Sequence, residues 1–188
     1  MADSEILPLP SRILDRAVNE RYIFKETIVI WDGKKMRCEH GRERGTCKEC
    51  GGSRICEHGR QRNTCKKCDL HGYIKMLISG RIRGAIKSQN EIKDKKTSEL
   101  LGCSIKDVRI YLENQFIEGM SWENSGEWHI DHRRPCASFD LTDLEGQKMC
   151  FHYTNIQPMW ASENLSKNDS FNVESFEWKW NGEEWIEK

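Results

Sequence analysis

Apolar residues in this chain fall into short, spaced groups. Ile74, Leu77, Ile78, Ile82, Ala85 and Ile86 recur at steps of three and four, with Lys75, Arg81, Arg83 and Lys87 around them. That period puts side chains on one face of an amphipathic α-helix. Val108, Tyr111, Leu112 and Phe116 repeat it after Ser104 and Asp107, whose spacing predicts a reciprocal N-terminal cap, with Gly119 as the stop. The polar stretch 88–96 between them predicts a loop. Two other segments alternate like strands around an Asx-Gly pair: 28–31 and 34–37 about Asp32-Gly33, and 176–180 and 183–186 about Asn181-Gly182. Each predicts a hairpin with a two-residue turn. The three tryptophans of the second, Trp178, Trp180 and Trp185, are expected to pack a strand against a core rather than to stack on bases. Residues 1–20 contain Pro8 and Pro10 and predict little structure beyond a helical turn or two around 11–21.

Composition narrows the picture. The hydrophobic share of 188 residues is 37% and the mean hydropathy is −0.78, which fits small cores stapled by metal better than one large core. No apolar run is long enough for a membrane span, and the first residues lack a charged-then-apolar leader pattern. The expectation is a soluble, intracellular protein that does not engage a membrane. Net charge is zero, but residues 34–96 carry 18 Lys/Arg against 7 Asp/Glu, while the remainder carries 12 against 23. A basic middle between acidic ends points to a polyanionic partner.

Six of the nine cysteines lie in two near-copies: Cys38, His40, Cys47 and Cys50, then Cys56, His58, Cys65 and Cys68, eighteen residues on. Cys-x-His followed by Cys-x-x-Cys supplies four ligands of the types that suit tetrahedral Zn²⁺. Two structural zinc ions are therefore expected, in sites with no position left for water. Either each copy closes its own site or ligands cross between copies; His71 is a less favoured substitute ligand. Arg42, Arg44, Arg60 and Arg62 sit between the ligands, on loops that metal would fix, and suit phosphate contacts that position a duplex without reading it. A protein-binding zinc module is the rival reading. Cys103, Cys136 and Cys150 are left over and read as small buried hydrophobes.

The remaining chemistry lies in an ordered series: His129-Ile130-Asp131-His132, then His152-Tyr153-Thr154-Asn155, then Asn164 and Lys167. Phosphodiester hydrolysis needs a base to activate water and a cation to stabilise the phosphate and the leaving oxygen. His132 is the candidate base, with Arg133 and Arg134 beside it to disfavour its protonated form. Asp131, on the opposite face of a strand, is a candidate ligand for a hard divalent ion such as Mg²⁺ or Mn²⁺. Asn164, near the start of a helix capped by Ser162, would add a second oxygen.

The segment from Gly119-Met120 through Trp122, Asn124, Gly126 and Trp128 to His132, together with His152 to Asn155, Gln157-Pro158 and Trp160-Ala161, resembles the HNH endonucleases of phages and large DNA viruses. The resemblance covers about residues 77–168. It implies a ββα-metal fold in which Asp131 and Asn164 hold the catalytic metal and His132 is the general base. Asn155 would brace the loop carrying His132, Lys167 would touch phosphate and His129 would support. Many such proteins also bind a structural zinc through paired Cys-x-x-Cys motifs. Here Trp160 and Glu163 stand in the second pair's place, so the core is expected to be free of zinc, with Trp160 filling the space.

The expectation is thus an α+β protein in five parts: an N-terminal hairpin segment (1–37), tandem zinc repeats (38–71), a helical DNA-contacting linker (72–120), an HNH core (121–170) and a C-terminal hairpin (171–188). Its expected activity is metal-dependent cleavage of double-stranded DNA. The rival is a non-catalytic, zinc-stabilised nucleic-acid or protein adaptor with an inactive HNH remnant.

Overall fold

The computed structural model describes residues 6–188; expectations for the first five residues lie outside it. The chain is mixed α+β and divides into two compact units, the first ending at Cys68 and the second running from Asp69 to Lys188. Among the described residues, no helix is long and apolar enough to cross a membrane.

The first unit opens with a four-stranded sheet of β1 (Leu7–Pro8), β2 (Arg21–Phe24), β3 (Thr27–Trp31) and β4 (Met36–Cys38) in that spatial order. β1 runs parallel to β2 and the other pairs are antiparallel. The expected hairpin is β3–β4, but Trp31 pairs with Met36, so the loop has four residues rather than two. The cause is local: the Asp32 carboxylate accepts hydrogen bonds from the backbone N–H groups of Lys34 and Lys35, closing an Asx turn that a two-residue loop has no room for. β1 and β2 were not expected. β2 joins β3 through Lys25 and Glu26, both at positive φ (48° and 60°) without the Gly or Asn that usually marks such a turn. The helical turn expected around 11–21 is a single 3₁₀ turn, Ile13–Asp15. The sheet's core is small: Tyr22, Val29 and Trp31, with Leu9 and Met36 against them.

The second unit holds the main core. α1 (Leu70–Ser88) is capped by Asp69, whose carboxylate accepts from Gly72 N–H, and it buries Ile74, Ile78, Ile82 and Ile86. That stripe leaves Lys75, Arg83 and Lys87 exposed on the outer side. α2 (Thr97–Leu101) ends at Gly102, whose φ of +74° and near approach to His152 leave no room for a side chain. α3 (Ile105–Glu113) has the expected Ser104/Asp107 capping box, but it ends before Phe116 and Gly119. These helices do not form a separate linker. Their buried residues share one core with Trp122, Trp128, Ile130, Phe151 and Ile156.

β5 (Trp128–His132) and β6 (Ile156–Trp160) form an antiparallel ribbon, with Asp131 opposite Gln157 and His132 opposite Ile156. α4 (Leu144–Phe151) lies in the connection between them, and α5 (Ala161–Lys167) follows β6 directly. The N-cap of α5 is Trp160, which makes no side-chain cap; Ser162 is already inside the helix, contrary to expectation. The tail forms β7 (Trp178–Trp180) and β8 (Trp185–Glu187), again around a four-residue loop, because Asn181 accepts from the N–H groups of Glu183 and Glu184. Trp185 is buried, donating its indole N–H to Met149 O, while Trp178 and Trp180 pack partly buried against the same core. Trp160 does likewise.

Candidate metal centres and active site

Each cysteine repeat folds onto itself. Cys38, His40, Cys47 and Cys50 bring their ligand atoms within 4.8 Å of one another, as do Cys56, His58, Cys65 and Cys68. Ligands therefore pair within repeats, and His71, in α1, joins neither cluster. His40 Nδ1 lies 3.9, 3.5 and 3.4 Å from the sulfurs of Cys38, Cys47 and Cys50. His58 Nδ1 lies 3.6 and 3.5 Å from those of Cys65 and Cys68. Bonds of about 2.3 Å to sulfur and about 2.0–2.1 Å to nitrogen, at a tetrahedral angle, require a separation of roughly 3.6 Å. Both clusters fit Zn²⁺.

The local chain makes this possible twice over. In each repeat a glycine at positive φ (Gly41 or Gly59) follows the His, and a 3₁₀ turn (Arg44–Thr46 or Arg62–Thr64) leads into the Cys-x-x-Cys pair. Burial opposes ionisation of Cys38, but N–H groups of Arg42 and His40 directed at its sulfur outweigh it and bring the thiol down to about 7. In the second repeat the same balance, with Arg60 and His58, brings Cys56 to about 6. Burial and neighbouring groups push Cys47 up to about 12 and Cys68 to about 11. A divalent ion would reverse the latter pair, since a coordinated thiol is deprotonated. Arg42, Arg44, Arg60 and Arg62 are all exposed. Arg42 reaches Glu49 at 3.5 Å, an exposed pair that contributes little to stability.

On the β5–β6 ribbon, alternation puts His129 and Asp131 on one face, and α5 lies over that face. Asn164 donates its amide to His129 Nδ1 at 2.8 Å, leaving its own oxygen free of that bond. The Lys167 ammonium donates to Asp131 Oδ2 at 2.6 Å and to the His132 carbonyl. Gln157 donates to the same carboxylate oxygen at 3.1 Å, and Arg133 holds Gln157 at 2.9 Å. Asp131 is 8% exposed, so its negative charge is sheltered and matched by Lys167. Lys167, expected at phosphate, is thus folded back onto the carboxylate.

His132 turns to the other side of the strand. Its ring lies edge-on to Phe151, and its Nδ1 is 3.5 Å from Cys136 Sγ. A hydrogen bond from Cys150 brings Cys136 down to about 5, with His132 assisting, whereas burial and its neighbour push Cys150 up. With Nδ1 facing the Cys136 sulfur, Nε2 lies on the other edge of the His132 ring. Arg133 and Arg134, expected to act on His132 by charge, are committed elsewhere. Arg133 stacks on Trp178 at 4.1 Å and binds Gln115 at 2.6 Å. Arg134 stacks on Phe139 at 4.2 Å and binds Ser138.

Asn155 is fully buried, which excludes contact with a substrate. Its Oδ1 accepts from Arg134 N–H at 3.0 Å, and its Nδ2 donates to Arg134 O at 3.2 Å and Cys150 O at 2.8 Å. It is a positioning residue, tying the loop after His132 to the end of α4.

Several participants were not singled out from sequence. Gln157 was legible only through cross-strand register, whereas His129, expected to support, lies on the face of Asp131 as the i, i+2 rule on a strand requires. Arg81 is exposed on α1 yet crowded enough that desolvation lowers its pKa, with Asp131 and Cys136 as the opposing charges. It brings a second cation, after Lys167, toward Asp131. Cys136 and Cys150, taken as isolated hydrophobes, form a cluster with His132.

The chain is similar to two uncharacterized proteins of Acanthamoeba polyphaga mimivirus. It is 43% identical to one over 102 residues, covering 54% of this chain and 44% of that protein. It is 44% identical to the other over 96 residues, covering 50% and 42%. The chain thus spans under half the length of these curated relatives. No family model matches it, and no solved structure matches it.

Proposed function

We propose that this protein is a divalent-metal-dependent endonuclease of the HNH type that hydrolyses DNA phosphodiester bonds. The single observation carrying the reading is the placement of Asp131 and His132 together at the end of β5, with α5 against the ribbon through Asn164 on His129 and Lys167 on Asp131. Asp131 and the Asn164 oxygen are hard donors suited to Mg²⁺ or Mn²⁺. That ion would stabilise charge on the phosphate and the leaving oxygen. His132 Nε2 accepts the proton of the attacking water, with Cys136 on the other ring nitrogen fixing the tautomer. Lys167 pairs with Asp131; a divalent ion held by Asp131 would compete with that pair and free Lys167 for the phosphate, where Arg81 would add a second positive charge. The zinc-held arginines and the basic side of α1 hold the duplex backbone without reading sequence. The similarity to two mimivirus proteins supports the viral part of the reading.

The Lys167–Asp131 pair also favours a second reading. In a non-catalytic, zinc-stabilised adaptor that pair would be permanent, leaving no ligand for a metal. Supercoiled plasmid incubated with zinc-loaded protein and Mg²⁺, beside EDTA and a His132→Ala variant, separates the two. The nuclease reading expects relaxed or linear plasmid, none with EDTA, and about 10²–10⁴-fold slower cleavage by the folded variant. Undiminished cleavage by His132→Ala would sink the mechanism, and no cleavage with any divalent ion would leave the adaptor.

A further inference from the structure

We propose that His132, Cys136 and Cys150 form a third zinc site, one that switches the endonuclease off when filled by taking the nitrogen lone pair of its base. The three ligand atoms lie within 4.8 Å of one another, the same closeness found in the two Cys-x-His repeats. The His132 Nδ1 to Cys136 Sγ distance of 3.5 Å matches the roughly 3.6 Å that tetrahedral zinc requires between nitrogen and sulfur.

The donors also sort the metals. Two sulfurs and an imidazole suit Zn²⁺ and other soft or borderline ions, whereas the oxygens of Asp131 and Asn164 suit Mg²⁺. One residue would therefore be a base beside a hard cation and a ligand to a soft one. The cluster is pre-organised by the fold. Asn155 binds the backbone of both Arg134, two residues before Cys136, and Cys150 itself, holding the two cysteine-bearing segments together. Cys150 is buried, while Cys136 and His132 are half-buried, so two of the three ligands keep some access to solvent.

The consequence for chemistry follows from the imidazole. Zinc on Nδ1 occupies the lone pair there and leaves the ring proton on Nε2, so neither nitrogen can take a proton from water. Binding displaces the remaining thiol proton or protons to solvent; no electron transfer is involved. With three protein ligands rather than four, this site should fill after the two repeats, with water in its fourth position. A core expected to be free of zinc would then carry one, built from residues outside the paired Cys-x-x-Cys pattern.

The inhibitory half rests on the proposed nuclease function; the metal site itself does not. Full-length protein is equilibrated at buffered free Zn²⁺ and its bound metal counted by mass spectrometry, beside Cys136→Ser. Co²⁺ is then substituted, and its thiolate charge-transfer and d–d bands recorded for both proteins. The expected result is three equivalents in the wild type and two in Cys136→Ser, with loss of one set of cobalt bands and unchanged far-ultraviolet circular dichroism. Two equivalents in both proteins, or three in both, overturns the site. With Mg²⁺ present, filling the third equivalent should suppress plasmid cleavage at least tenfold; unchanged or faster cleavage overturns the switch. If no preparation cleaves at all, the nuclease reading fails and the switch with it, while the metal count still decides the site.

Discussion

The two units relate metal to fold in opposite ways. Among the described residues of the first, the apolar core is Tyr22, Val29 and Trp31 with two flanking residues, and the chain after it carries two clusters of cysteine and histidine. In the second, eighteen buried apolar residues form one core around a ribbon whose polar groups are already satisfied by one another. The first resembles a structure that its metal builds; the second is a structure that could receive a metal. The difference teaches what four soft ligands can replace. A thirteen-residue repeat with almost no apolar content becomes a defined loop once its ligands converge, at a binding free energy of about 10–16 kcal/mol for structural zinc.

Zinc removal should therefore have the largest effect, and an unequal one on the two units. A strong chelator is expected to abolish amide protection across residues 38–68, while α1, α3 and the β5–β6 ribbon keep theirs in hydrogen exchange. Protection that survives in 38–68 would mean the repeats fold without metal. Equal loss in both units would mean the second is not self-sufficient.

A smaller effect is expected at the brace. Asn155→Ala leaves buried partners at Arg134 and Cys150 without hydrogen bonds, and should cost about 2–4 kcal/mol in denaturant unfolding of the second unit. A cost below about 0.5 kcal/mol would show that the loop holds itself. Smaller still is the effect of Lys167→Met. Removing the ammonium that now pairs with Asp131 should tighten Mg²⁺ binding several-fold, on the order of 1 kcal/mol, by calorimetric titration. Weaker binding in that variant would make Lys167 a helper of the metal rather than its stand-in.

How far the sequence could be read follows the same divide. Where chemistry is local, it was legible: the eight repeat ligands are close in sequence and close in space, and the isoleucine stripe of α1 and the Ser104/Asp107 cap need only neighbours. Hairpins were legible but their turns were not, because Asp32 and Asn181 accept two backbone N–H groups each and lengthen the loop to four residues. The β2–β3 turn at Lys25 and Glu26 had no composition signal at all. The Lys167–Asp131 pair and the His132–Cys136–Cys150 cluster were hidden for a different reason. They depend on strand register and on Asn155 bringing the chain after His132 against the end of α4, and neither is written in residue spacing.

The most direct test lies at Asp131, where the fold now holds a lysine and the account requires a metal. Plasmid cleavage is measured as Mg²⁺ is titrated into zinc-loaded wild type and Asp131→Ala. The expected result is saturable, Mg²⁺-dependent cleavage in the wild type, and a loss of at least about 100-fold in a variant that keeps its zinc and its fold. Equal cleavage by both proteins, or none by the wild type at any Mg²⁺ concentration, would contradict it.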